Sequence, residues 1–160
     1  MGKIAAPHLL NEHHDFTSFD CEELSLNEWL KKKSLKNKKS GASRTFVICD
    51  NNNKVIGFYC LSTGSIQHRQ LTLSRFKRNM PDPIPVIILG RLAIDKNYKS
   101  KGLGAALLKD AILRSKEVSK QVGSRALLVH SLTDEANAFY IKFGFVDSGI
   151  QERTMLISLW

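Results

Sequence analysis

Six residues, Lys99-Ser100-Lys101-Gly102-Leu103-Gly104, stand between the apolar run Val86-Ile87-Ile88-Leu89-Gly90-Arg91-Leu92-Ala93-Ile94 and a long stretch rich in alanine and leucine. A buried strand, a glycine turn and a helix start in that order leave the first backbone N–H groups of the helix without internal partners. The positive end of the helix dipole points the same way, so the turn can hold an anion such as the pyrophosphate of a nucleotide-like ligand. It is not a dinucleotide fingerprint: Leu107 occupies the third glycine position, and no acidic residue is placed to grip a ribose. No Gly-Lys-Ser/Thr follows the glycines, which excludes a nucleotide-triphosphatase loop. An ordinary strand-to-helix connection would need the same residues, so the turn alone does not settle its ligand.

The elements that must position this turn are legible in the pattern. A short strand is expected over residues 4–10. Ser25, with Glu28 three residues on, has the form of a capping box opening a helix whose buried stripe is Leu26, Trp29 and Leu30 and which stops at Gly41. Residues 44–49 and 55–61 read as strands joined by the Asp50-Asn51-Asn52-Asn53 turn, and 73–78 as a short helix. Pro81, Pro83 and Pro85 keep the chain extended until the central strand begins at Val86. The helix after the glycine turn runs over 104–122, with Leu107, Leu108, Ala111 and Ile112 on its inner stripe. A strand over 126–130, a helix over 133–143 and a closing hairpin of 145–148 with 155–159 complete an α/β arrangement around one mixed sheet. Neither an internal repeat nor a linker interrupts it, so residues 1–160 are expected to form a single domain.

Composition bounds the function. The chain is 42% hydrophobic and 24% charged, as in a soluble globular protein. No apolar run approaches the length of a membrane span, and no signal peptide is apparent, so a cytoplasmic location without a membrane partner is expected. Cys21, Cys49 and Cys60 lack metal-type spacing and read as reduced structural thiols. His8, His13 and His14 are grouped, but no downstream Cys or carboxylate motif completes them; they read as solvated loop histidines, and no metal is expected. The net charge of +9 is concentrated in two places. Lys31, Lys32, Lys33, Lys36, Lys38, Lys39 and Arg44 form one acid-free zone, Arg69, Arg75, Lys77 and Arg78 another, and the rest of the chain is slightly acidic. Two such zones suit a phosphate-rich partner, and equally a pair of solvated surfaces.

A second motif lies one helix and one strand beyond the glycine turn: Ala136-Asn137-Ala138-Phe139-Tyr140-Ile141-Lys142-Phe143-Gly144-Phe145. A strand, a Q/R-x-x-G-x-G/A turn, a long helix, a strand and a helix with this Phe-Tyr and Gly-Phe pattern resemble the GNAT superfamily of acetyl-CoA-dependent N-acetyltransferases. The resemblance covers about 86–145 and implies the GNAT fold, a central mixed β-sheet flanked by helices. It further implies that the amides of Lys99, Ser100, Lys101, Gly102, Leu103, Gly104 and Ala105 hold the acetyl-CoA pyrophosphate. Pantetheine would run along Leu92, Ala93 and Ile94, and Tyr140 would give a proton to the departing thiolate. Two positions depart from the family pattern. Lys99 replaces a Gln or Arg, keeping the charge but losing planar hydrogen bonding, and Thr133 replaces an Asn that touches the cofactor in many members.

Four further segments narrow the resemblance: Phe19 through Leu30, Ser40 through Val47, Arg78 through Val86 and Leu89 through Asp95 look like the TacT-like acetyltransferase toxins of toxin-antitoxin systems. That group implies acetylation of the α-amino group of aminoacyl-tRNA, arrest of translation, neutralisation by a ribbon-helix-helix antitoxin, and homodimerisation. It also gives the basic zones an owner, with Lys31, Lys32, Lys36, Lys39, Arg75, Lys77, Arg78 and Arg91 as candidate tRNA contacts. Two other readings remain beside it: acetylation of a protein N-terminus or small amine, and a non-catalytic acyl-CoA sensor or nucleic-acid-binding regulator on the same fold.

Overall fold

In a computed structural model, which describes residues 4–160, the chain forms a seven-stranded mixed sheet flanked by helices. The strands are β1 (His8–Leu9), β2 (Arg44–Cys49), β3 (Val55–Ile66), β4 (Ile84–Ile94), β5 (Ala126–His130), β6 (Val146–Asp147) and β7 (Thr154–Ser158), in the spatial order β1-β2-β3-β4-β5-β7-β6. The helices are α1 (Leu24–Lys32), α2 (Ser34–Ser40), α3 (Ser74–Lys77), α4 (Leu103–Ser119) and α5 (Asp134–Lys142). All strand pairs with a stated register are antiparallel except β4 with β5, which run parallel from Val86 opposite Ala126 to Leu89 opposite Val129.

The chain divides into two compact units, 1–62 with 91–111, and 63–90 with 112–160. Each has its own core. In the first, Leu10, Phe19, Trp29, Leu30, Val47 and Phe58 pack together, the Phe58 ring stacked on Trp29 and met edge-on by Phe19. In the second, Ile66, Leu71, Phe76, Ile84, Val86, Ala126 and Leu156 form the cluster. No helix among the described residues is long and apolar enough to cross a membrane.

Most expected elements are present, and the departures have local causes. The first strand shrinks to two residues. Ser25 is not a cap: α1 starts at Leu24, with Glu23 in the cap position making no side-chain bond and its carbonyl taking the Leu26 and Asn27 N–H groups. The chain enters the helix early because the Asp20 carboxylate accepts from the Glu22 amide and the Asn27 side chain, which closes the preceding turn with Glu22 at φ 71°. The single helix expected to run to Gly41 is broken at Lys33. Ser34 Oγ donates back to the Leu30 carbonyl there, a contact that bends helices. β3 runs on to Ile66 and β4 begins at Ile84, whereas β5 is as expected. Thr133 is the N-cap of α5, its hydroxyl oxygen accepting from the Ala136 N–H. β6 and β7 pair antiparallel as the closing hairpin required.

Tyr59 ties the sheet of the first unit to α4. Its ring is fully buried and stacks on Phe46, and its hydroxyl donates to the Asp110 carboxylate. Hydrogen bonds to charged groups contribute more than neutral ones, so Tyr59→Phe should lower unfolding free energy by about 1.5–3 kcal/mol. Urea unfolding of the full chain measures this, and an unchanged midpoint would contradict it.

Candidate active site

β4 delivers the chain to the glycine turn. Its parallel pairing with β5 ends at Leu89, while the strand continues to Ile94. The backbone of Leu92, Ala93 and Ile94 therefore lies beyond that register, with Leu92 half-buried and Ala93 and Ile94 buried. At the strand end Asp95 is 7% exposed. One of its carboxylate oxygens accepts from the Asn97 N–H at 2.9 Å and the other from the Asp20 N–H at 3.0 Å. The Lys96 N–H returns a bond to the Asp20 carbonyl, and its ammonium lies 3.3 Å from the Asp20 carboxylate. The Asp20 carboxyl is held below the usual range, first by the Glu22 amide and then by Asn27 and Lys96.

Past a single 3-10 turn (Lys96–Tyr98), Ser100 at φ 63° and Gly102 at φ 78° bend the backbone sharply into α4. Nothing lies within 4 Å of where a Gly102 side chain would begin. Lys99, Ser100, Lys101 and Gly102 are exposed, and Leu103, Gly104 and Ala105 are half-buried in the first turn of α4, which holds no acidic residue. A helix start with no carboxylate of its own to occupy it is what an anionic ligand needs. Lys99 differs from the simple expectation. Its ammonium donates to the Cys21 carbonyl at 3.0 Å and meets Glu22 at 3.3 Å, so it braces the 20–23 turn and has one further N–H for a phosphate.

Tyr140 belongs to the second unit. It is 6% exposed on α5, its ring met edge-on by Phe139 and Phe145 at 5.3 and 5.4 Å. The Phe143 and Phe145 amides both return to the Tyr140 carbonyl around Gly144, so backbone and aromatic packing together restrict where the phenol points.

The basic residues separate in the same way. Lys31, Lys32, Lys36, Lys39 and Arg91 lie in the first unit, Arg75, Lys77 and Arg78 in the second. Lys31, Lys32, Lys36, Lys39, Arg75 and Arg78 are exposed, and Lys77 is half-buried. Arg91 lies over the Trp29 ring at 4.7 Å, a cation–π contact that fixes its guanidinium. Lys38 is tied to the Leu10 carbonyl and Arg44 to those of Lys38 and Ser43, so these two are partly structural. The exposed face of α1 borders an open cleft of 510 Å³ lined by Phe19, Asp20, Glu22, Leu24, Asn27, Glu28, Lys31 and Lys32. Sequence spacing did not single out Asp20, Asn27 or Asp95, because the bond that joins the Asp20–Asn27 turn to Asp95 spans 75 residues; the signal available was their position inside two of the toxin-like segments.

A GNAT acetyltransferase domain model matches residues 42–147, which include the glycine turn and Tyr140. The chain belongs to the GNAT acetyltransferase family. It is 46% identical over 145 residues to a tRNA-acetylating toxin of Mycobacterium tuberculosis (strain ATCC 25618 / H37Rv), spanning 91% of this chain and 86% of the relative. Among solved structures it superposes on AtaT complexed with acetyl-methionyl-tRNAfMet with a TM-score of 0.89 at 27% identity, covering 98% of this chain and 95% of that one. It also superposes on a tyrosine-to-phenylalanine variant of the AtaT toxin bound to the C-terminus of the antitoxin AtaR and acetyl-CoA, with a TM-score of 0.83 at 26% identity and coverages of 98% and 93%.

The Asp95 carboxylate gives a direct test of how the turn is held. Asp95→Asn leaves one acceptor and turns an NH₂ toward one of the two amides. The loss should be about 1–3 kcal/mol in urea unfolding, and Asp95→Glu should not restore it because the longer side chain displaces both bonds. Wild-type stability in Asp95→Asn would show that the two bonds do not fix the turn.

Proposed function

We propose that this chain is an acetyl-CoA-dependent N-acetyltransferase toxin that acetylates the α-amino group of aminoacyl-tRNA, blocks translation and is neutralised by a ribbon-helix-helix antitoxin. The observation that carries the reading is its 46% identity to a tRNA-acetylating toxin across 91% of the chain. The carboxylate-free start of α4, the run of β4 past its register with β5 at Leu92, Ala93 and Ile94, and the two basic zones are what the reading requires. Residues 1–160 act as one domain in this reading, in the cytoplasm, with a homodimer as the working assembly.

In the proposed division of labour, the amides of residues 99–105 receive the pyrophosphate and the end of β4 receives pantetheine. The amine nitrogen attacks the thioester carbonyl, the carbon–sulfur bond breaks, and the sulfur leaves as a thiolate. Tyr140 gives that thiolate a proton and regains one from water, while the proton shed by the new amide goes to solvent. A phenol with a pKa of about 10 is protonated at neutral pH and can serve as this acid. The nucleophile needs little help. An α-amine with a pKa of about 7.7 is roughly one part in six neutral at pH 7, against about one in a few thousand for a lysine side chain. The exposed lysines of α1 and α2, together with Arg75, Lys77, Arg78 and Arg91, supply the attraction for tRNA phosphates.

Incubation of the protein with labelled acetyl-CoA and charged total tRNA should place label on amino acids released from the tRNA, with a rate that falls as salt rises. The kcat/KM should climb with pH through about 7.7 as the amine loses its proton, then level off. Tyr140→Phe should bind acetyl-CoA normally and lose roughly 10²- to 10⁴-fold in turnover. Label confined to protein N-termini or small amines would overturn the substrate, and near-wild-type turnover in Tyr140→Phe would overturn the acid.

A further inference from the structure

Two of the histidines that the acetyl-transfer reading leaves unused meet at the edge of the sheet. His8 is on β1, and His14 follows in the next turn. β1 pairs antiparallel with β2, placing His8 opposite Val47. In such a ladder the residue two positions beyond a partner shares its face and is the diagonal neighbour. Cys49 occupies that position, at the far end of β2. Donor atoms of His8, His14 and Cys49 all lie within 4.8 Å of one another. The sequence had offered no ligand to complete the histidine cluster, and strand pairing supplies one.

We propose that His8, His14 and Cys49 form a binding site for a divalent ion of the zinc class, with water as the fourth ligand. Two imidazoles and a thiolate are a borderline-soft donor set that suits zinc rather than magnesium or calcium. Metal–nitrogen and metal–sulfur bonds of about 2.0–2.1 and 2.3 Å place tetrahedral donors about 3.3–3.6 Å apart. The two Nε2 atoms, 2.8 Å apart, therefore separate by about half an ångström, and the widest gap closes by about 1 Å, both within reach of side-chain rotation. His8 is already set for this: its Nδ1 lies 3.3 Å from the Ala6 carbonyl, the kind of outer bond that leaves Nε2 bare for a metal. His14 Nδ1 instead accepts the Asn11 N–H at 3.0 Å, so its proton must shift from Nε2 to Nδ1 and that bond is given up when the ion enters. One proton, from the Cys49 thiol, passes to solvent for each ion bound. The ion would fasten a two-residue edge strand and its following turn to the end of β2.

The test uses the tag-free full chain, stripped with a chelator and titrated with Co²⁺ as an optical probe and Zn²⁺ as competitor. One Co²⁺ per chain should bind with thiolate-to-cobalt charge-transfer absorption and tetrahedral visible bands, both erased by Zn²⁺, and the Asn11 amide resonance should shift. Cys49→Ser should abolish the charge-transfer band. His8→Ala, at an exposed position and so expected to remain folded by circular dichroism, should weaken binding at least about tenfold. Zn²⁺ should raise the melting temperature of the wild type and not of His8→Ala. Absence of the band at one equivalent, its survival in Cys49→Ser, or wild-type affinity in His8→Ala would each overturn the site.

Discussion

The carboxylate of Asp95 is the constraint on which the glycine turn rests. It is buried at the end of β4, and a buried charge is tolerated only when its oxygens are hydrogen-bonded. Each oxygen holds a backbone N–H from a different segment, Asn97 ahead of it and Asp20 from the turn before α1. The glycine turn and the entry to α1 thus share one anchor. Lys96 and Lys99 reinforce it from the same side, one to Asp20 and the other to Cys21 and Glu22. Those two ion pairs are exposed and contribute little alone. Added to the two hydrogen bonds on the buried carboxylate, they tie the two segments together at several points.

This arrangement explains what was legible in the sequence. The glycine turn, β5, α5 and the hydrophobic stripe of α4 were readable because their signals are local: periodicity, a breaker and a cap within one turn of the residues they control. The start of α1 was misread because the local signal was overruled. Ser25 and Glu28 have the spacing of a capping box, yet Asp20 and Asn27 close the turn two residues earlier, and Asp20 is itself placed by Asp95. The direction of the Lys99 side chain was hidden for the same reason. Its charge could be read from the sequence, but its partners Cys21 and Glu22 are visible only after folding. Cys49 beside His8 and His14 is the extreme case, since only the β1–β2 register brings them together.

The basic zones show a similar division between what charge says and what contacts say. Counting residues gives two acid-free stretches, but the structure sorts them. Lys38 and Arg44 hold backbone carbonyls and Arg91 lies on an indole, whereas Lys31, Lys36 and Lys39 stand in solvent. Long basic side chains at helix C-termini also offset the dipole, so part of the lysine content of α1 and α2 serves the helices themselves. A fixed guanidinium and a mobile ammonium answer different needs. The first gives direction to a contact, and the second gives reach and a field.

The acid role proposed for Tyr140 asks ordinary chemistry of a closely held residue. A phenol of pKa about 10 gives its proton uphill by more than a unit to a thiolate whose thiol has a pKa of about 8.5, a gap of only about 2 kcal/mol, so an ordinary phenol suffices if it is well placed. What the fold must supply is position. Phe139 and Phe145 meet the ring edge-on, and the helix end is drawn back around Gly144 onto the Tyr140 carbonyl. Holding a reacting group in place removes the entropy of finding it, which can take about 7–11 kcal/mol off a barrier. If the acceptor is an α-amine, already partly neutral at physiological pH, the enzyme has no comparable need to build a strong base. In the proposed reading, a rigid acid, an anion cradle and a basic surface are then a sufficient set.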